Sequence, residues 1–200
     1  KHIVRYLLTT REKNGVQPAY GLNMRPDMTS GLEVYVDASF AGDWERSWSD
    51  DPKSVLSRTG YVIKYANCPI VWMSKLQSEI SLSTTESEYI ALSQAMREVL
   101  PLITLLNEIK DSIRISREDK PKFKCKVFED NNGCIELAKC PRMRPRTKHI
   151  AVKYHHFRSK VEEGIVEVLG IDTKEQQADL LTKDLAKDQF LKLRMLICGW

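Results

Sequence analysis

Cysteine is sparse and unpaired in this chain: the five at positions 68, 125, 134, 140 and 198 are odd in number and include no Cys-x-x-Cys pair. That pattern excludes a disulfide framework and argues against a structural zinc site. Apolar neighbours around Cys125 and Cys198 suit ordinary buried thiols in a reducing, intracellular compartment. No apolar run approaches the roughly 20 residues a membrane-spanning helix needs, and no basic-then-apolar leader follows Lys1. A large charge of one sign is missing too, since 31 Lys and Arg stand against 27 Asp and Glu for a net +4, which by itself names no partner. What remains, 42% hydrophobic and 29% charged residues over 200 positions, is enough for one sizeable core and reads as a soluble piece of a longer polypeptide.

Residues 1–20 begin with Ile3, Val4, Leu7 and Leu8 at helical spacing and stop at Lys13-Asn14-Gly15, and residues 21–31 read as a linker. From residue 32 three short segments, 32–38, 60–65 and 69–73, are rich in β-branched and aromatic residues with no helix between them, which predicts an antiparallel meander. The polar stretch 43–56 between the first two is longer than a hairpin needs and reads as either a substrate-contacting flap or, the commoner outcome, a surface insertion. Tyr89, Leu92, Met96, Val99, Ile103 and Leu106 then recur at spacings of three and four, one face of a long amphipathic helix in which Pro101 should force a kink or a restart. A fourth strand over 123–128, helices over 132–139 and 148–163, a fifth strand over 165–171 and a final helix over 175–197 complete a β-β-β-α-β-α-α-β-α order, an α/β arrangement.

Acidic residues sit where these elements begin or end. Asp37 ends the first strand, Asp130 the fourth, and Asp179 falls in the first turn of the expected last helix. A carboxylate at a strand end is aimed by the sheet and one in a first helical turn by the capping geometry, so such groups can converge on divalent cations. Clustered acids repel one another and favour hard cations such as Mg²⁺ or Mn²⁺ that neutralise them. In Ser83-Thr84-Thr85-Glu86 the spacing is that of a capping box, which gives Glu86 a structural task; Glu88, one turn before Leu92 on the inward side, is assigned to the metal site. A second charge feature is the acid-free run 139–149, in which Lys139, Arg142, Arg144, Arg146 and Lys148, followed by His149, suit a phosphate backbone or, equally on charge alone, a solvated basic loop.

Taken together, Tyr35-Val36-Asp37-Ala38, Ser57-Arg58-Thr59-Gly60-Tyr61-Val62, Pro69-Ile70-Val71-Trp72-Met73-Ser74-Lys75, residues 82–92, Arg146-Thr147-Lys148-His149-Ile150 and Gln177-Ala178-Asp179-Leu180-Leu181-Thr182-Lys183 resemble the ribonuclease H domain of copia-type retrotransposon Pol polyproteins. The resemblance covers residues 31–200, while residues 1–30 look like the closing segment of a preceding reverse transcriptase and a linker. It implies a ribonuclease H-like fold, a five-stranded mixed sheet of three antiparallel strands followed by parallel ones, flanked by helices. It further implies endonucleolytic cleavage of the RNA strand of RNA–DNA hybrids with two Mg²⁺ ions, for which Mn²⁺ can substitute. By motif the ions fall to Asp37, Glu88, Asp130 and Asp179, and Asn132 to a minor-groove contact with the hybrid. The implied partners are the hybrid and the upstream reverse transcriptase, with no membrane, in the cytoplasm, a virus-like particle or the nucleus. One departure is that residues 171–175 carry no histidine before the last acid; His149 could meet a phosphate, and His155 and His156 read as helix-surface or partly buried. The competing readings are a catalytically inactive hybrid-binding or scaffolding module for the reverse transcriptase, and a transposase or integrase core, which Glu88 and Asp179 disfavour.

Overall fold

The computed structural model describes residues 21–27, 29–42, 44, 53–112, 123–140 and 155–200. The expected element at the start of the chain, most of the 43–56 insertion, and Arg142, Arg144, Arg146, Lys148 and His149 lie outside the described residues.

Strand alternation builds the sheet. β1 (Leu32–Ser39), β2 (Arg58–Tyr65) and β3 (Cys68–Leu76) form the antiparallel meander, with Ala66 and Asn67 turning at positive φ between the last two. β4 (Cys125–Glu129) and β5 (Val166–Gly170) add in parallel on the other side of β1, so the sheet runs β3-β2-β1-β4-β5. This is the five-stranded mixed sheet that the sequence predicts. Leu32, Val34, Val36 and Ala38 point from β1 into the larger core, shared with Tyr61 and Ile63 of β2, Val127 of β4 and Val168 of β5. A smaller core on the opposite face gathers Tyr35, Val62 and Ala178, with Tyr35 and Phe128 stacked at 4.8 Å between ring centroids.

α1 (Thr84–Ser112) lies across the larger core and buries Tyr89, Leu92, Met96, Val99 and Ile103. It runs unbroken through Pro101, so of the kink or restart expected there the restart does not occur. An interior proline costs about 3 kcal/mol, while each large side chain buried on this stripe contributes about 1.5–3 kcal/mol, and the stripe continues on both sides of it. Pro101 is exposed, and so is Arg97, whose carbonyl loses its donor there. Although α1 is long and apolar enough to cross a bilayer, half of its apolar window is buried within the fold.

α2 (Asn132–Lys139) follows β4 directly, its first turn capped by Asn131, whose side chain accepts from the Cys134 amide at 3.0 Å. Of the helix expected over 148–163, the described part is the short α3 (Arg158–Glu162), preceded by the fully buried Phe157. The expected single helix over 175–197 is two 3₁₀ turns, Thr173–Glu175 and Gln177–Leu181, and then α4 (Lys187–Cys198). The reason is tertiary. The β1–β4 ladder ends at Tyr35↔Phe128, and beyond it the Val36 and Phe128 carbonyls both accept from the Nε2 of fully buried Gln176, at 2.9 and 3.2 Å. Holding Gln176 there is incompatible with a helix running straight through it.

Candidate metal centre

The carboxyl ends of the parallel β1 and β4 form a crevice, the place where open α/β sheets bind ligands. Asp37 enters it from β1, fully buried; Asp130 enters from the bend after β4, half-buried; Glu88 enters from the second turn of α1, 6% exposed. Ligand oxygens of these three acids all lie within 4.8 Å of one another. Two glycines permit the approach. A Cβ at Gly60, opposite Asp37 on β2, would stand 2.5 Å from Thr182 Cγ2, and one at Gly133 would stand 2.7 Å from Thr85 Oγ1, pushing α2 away from the start of α1. Gln77 fixes that start by donating to the Ser87 carbonyl at 2.9 Å and to Thr59 Oγ1 at 3.1 Å.

Asp179 lies on the second 3₁₀ turn, not on the last α-helix, and outside the three-acid group. It is linked to the group through Lys183, whose Nζ donates to Asp179 Oδ1 at 2.7 Å and to Asp37 Oδ1 at 2.9 Å. The other Asp37 oxygen accepts a short hydrogen bond from the Thr182 hydroxyl. Both Asp37 oxygens are thus held by the C-terminal segment.

Burial dominates the electrostatics. It pushes Glu88 up to about 11, reinforced by the charges of Glu129, Asp37 and Asp130 and opposed by Lys183. Glu129, the last residue of β4 and fully buried, is raised to about 8 by desolvation, against a hydrogen bond from the Asn131 amide. Asp179 is raised to about 6, again by burial, with Lys183 working the other way. For Lys183 desolvation lowers the pKa, but the charge of Asp37 and the hydrogen bonds to Asp179 and Asp37 outweigh it and the net shift is upward. Buried Glu88 Oε2 and Glu129 Oε2 have no hydrogen-bond partner. An orphaned buried oxygen on an acid of a carboxylate cluster suits a hard divalent cation, which accepts oxygen ligands in flexible number.

Glu86 does the structural task expected of it. Its Oε2 accepts from the Leu82 amide at 2.7 Å while its own amide donates to Ser83 Oγ at 3.1 Å, a reciprocal cap one residue wider than the standard box. Glu86→Ala should lower stability by about 1 kcal/mol, a thermal midpoint shift of roughly 2–4 °C, and leave metal binding intact; loss of metal binding in calorimetry would make Glu86 a ligand. Asn132 is exposed at the start of α2, beside capping Asn131, which Thr85 Oγ1 meets at 3.4 Å. His155 is half-buried, sharing a 2.8 Å hydrogen bond with the Tyr89 hydroxyl, and His156 is exposed, 3.5 Å from Ser93 Oγ. Cys125 is fully buried, its thiol pushed up to about 12 by desolvation, while Cys198 is only partly buried.

Among known proteins, the chain is 35% identical over 190 residues to the retrovirus-related Pol polyprotein from transposon RE1 of Arabidopsis thaliana, an alignment covering 95% of it. It is 36% identical over 166 residues, 83% of its length, to the corresponding polyprotein from transposon TNT 1-94 of Nicotiana tabacum. The chain belongs to the retrovirus-related Pol polyproteins of transposons. It spans 11% of the length of each of these two relatives. No protein-family model matches it.

Solved structures similar to this Pol-family chain include the N-terminal RNase H domain of a Mycobacterium tuberculosis protein, at 10% identity and a TM-score of 0.48, covering 82% of this chain and 96% of that one. RNase H1 from Halobacterium salinarum gives 10% identity and a TM-score of 0.47, covering 82% and 98%. Two residues of the Pol-family centre escape sequence reasoning. Lys183 reads as an ordinary i, i+4 surface partner of Asp179, and Glu129 as a polar strand end overshadowed by Asp130. The only hint of either is that each adjoins or pairs with an assigned acid.

Proposed function

We propose that this Pol-family domain is a divalent-metal-dependent endonuclease that hydrolyses the RNA strand of RNA–DNA hybrids formed during reverse transcription. The observation that carries the reading is the convergence of Asp37, Glu88 and Asp130 with a buried Glu88 oxygen left without a partner. Two Mg²⁺ ions, or Mn²⁺ in their place, held by these acids and Asp179 would supply an activated water and charge stabilisation for an in-line displacement at phosphorus. The chain's own contribution is to fix the acids: the sheet aims Asp37 and Asp130, the capped start of α1 aims Glu88, and Thr182 and Lys183 orient Asp37. Beside them a cleft of about 450 Å³, lined by Ser39, Arg58, Ser74 and Lys183, is polar and open enough for a backbone phosphate.

Exposed Asn132 at the start of α2 and half-buried Thr85 at the start of α1, which meets the neighbouring Asn131, would face 2′-hydroxyls of the RNA strand, and the basic run with Arg142, Arg144, Arg146, Lys148 and His149 would track the phosphates. Recognition of this kind reads groove shape and sugar rather than base edges, so little sequence preference is expected. The upstream part of the polyprotein, a reverse transcriptase in this reading, would deliver the hybrid.

The test is cleavage of an end-labelled RNA–DNA hybrid with Mg²⁺ or Mn²⁺, beside single-stranded RNA, double-stranded RNA and the Asp130→Asn protein. Hybrid-only cutting that disappears in the variant, a loss of about a thousandfold or more given the several kcal/mol a metal site contributes, is the expected result. A folded protein that cuts nothing with either metal would instead point to a non-catalytic hybrid-binding module.

A further inference from the structure

We propose that Lys183 is an internal counter-cation that fills one of two adjoining cation positions in the metal-free centre, so that ions load in sequence and the second enters only by displacing its ammonium. The inference rests on the metal site of the nuclease reading and assigns a role to a residue outside it.

Two positions share Asp37. One is bounded by Asp37, Glu88 and Asp130, whose ligand oxygens lie within 4.8 Å of one another, and Glu88 carries a buried oxygen without a partner. The other lies between Asp37 and Asp179, and there the Lys183 ammonium makes contacts of 2.9 and 2.7 Å, the separations of charge-assisted hydrogen bonds. An ammonium carries the right charge for this place but half that of a divalent ion, and it is tethered, so it competes at high effective concentration. It is also free to leave. The Lys183 side chain is 34% exposed and lines the cleft shared with Arg58 and Ser39, so its four-carbon stem can swing outward without disturbing either core. Asp37 would stay in place when it does, since the Thr182 hydroxyl holds its other oxygen. The three-acid position therefore takes the first ion, and the Lys183 position takes the second at higher concentration.

The experiment is a Mn²⁺ titration of the whole 200-residue chain without nucleic acid, read by calorimetry and by electron paramagnetic resonance. Wild type should bind one ion over the range in which Lys183→Met binds two, with the spin-coupled signal of a close ion pair confined to the variant; Lys183→Arg, which keeps the charge, should bind one. Without metal, Lys183→Met leaves Asp37 facing Asp179 with no counter-charge, and its thermal midpoint should fall and then recover on adding Mn²⁺. One ion in both wild type and Lys183→Met, or a coupled pair in wild type from the start, overturns the inference and leaves the nuclease reading standing. No ion in either protein overturns the metal site itself. Should the Met variant not fold even with Mn²⁺, wild type decides alone: a second ion appearing only well above the first supports the inference, and two of equal affinity refute it.

Discussion

Glu88→Gln should make the metal-free protein more stable and abolish the proposed nuclease activity. Burial among other acids holds Glu88 near 11, against 4.5 for an ordinary glutamate, so at pH 7 folding forces this side chain to take up a proton that the unfolded chain does not hold. Over the 2.5 units between 4.5 and pH 7, at about 1.4 kcal/mol per unit, that costs roughly 3 kcal/mol. Glutamine has the same shape and is neutral in both states, so it avoids this cost, and its amide can donate to the Asp37 and Asp130 carboxylates facing it. Thermal unfolding without metal should rise by about 6–12 °C, while hybrid cleavage disappears and the stabilisation of wild type by Mg²⁺ is absent from the variant. A lowered midpoint with activity retained would remove Glu88 from the centre.

The second large effect is an inverted pH dependence. Asp179, Glu129 and Glu88 all have pKa values raised in the fold, to about 6, 8 and 11. Each therefore binds its proton more tightly folded than unfolded, and stability is greatest below the ordinary carboxylate pKa and falls as pH rises through the folded values. Because the three repel one another they titrate as a set, and each proton the set holds only in the fold makes folding less favourable as pH rises over this range. Lys183, raised from 10.5, stays charged in both states across this window and adds no slope. Metal-free protein should thus lose thermal stability steadily from pH 5 to 8, and Mg²⁺ should flatten the decline, because an ion favours the ionised acids. Stability that climbs with pH in the absence of metal would show that the acids are paired by cations other than Lys183.

Much of this was legible in the sequence where a period is strict. The meander, β4 and the long helix are visible because residues such as Val34, Val36 and Ala38, or Leu92, Met96 and Val99, each face one core and must repeat with the geometry of their element. That Asp37, Glu88 and Asp130 come together was readable for the same reason, since each sits in a regular element or directly after one. The C-terminal segment was not. Its apolar spacing from 175 to 197 fits one helix, yet Gln176 is drawn to the carbonyls of Val36 and Phe128, partners 140 and 48 residues away that no local pattern announces. Lys183 stayed hidden behind the same misreading. A lysine four residues after an aspartate on a surface helix is commonplace; only the 3₁₀ turn carries it down onto Asp37.

The reach of Gln176 also sets a timetable. Chains are made from the N-terminus and begin to fold as they emerge, so β1, β2, β3, α1 and β4 can assemble while residues 176–183 are still within the ribosome. At that stage the carbonyls of Val36 and Phe128 lack their amide, Asp37 lacks Thr182 and Lys183, and Asp37, Glu88 and Asp130 are present without Asp179 or the clasp on Asp37. A nascent chain would therefore carry a shaped but unfinished centre. The acid cluster acquires its last carboxylate and its only described ammonium with the last part of the domain to be synthesised.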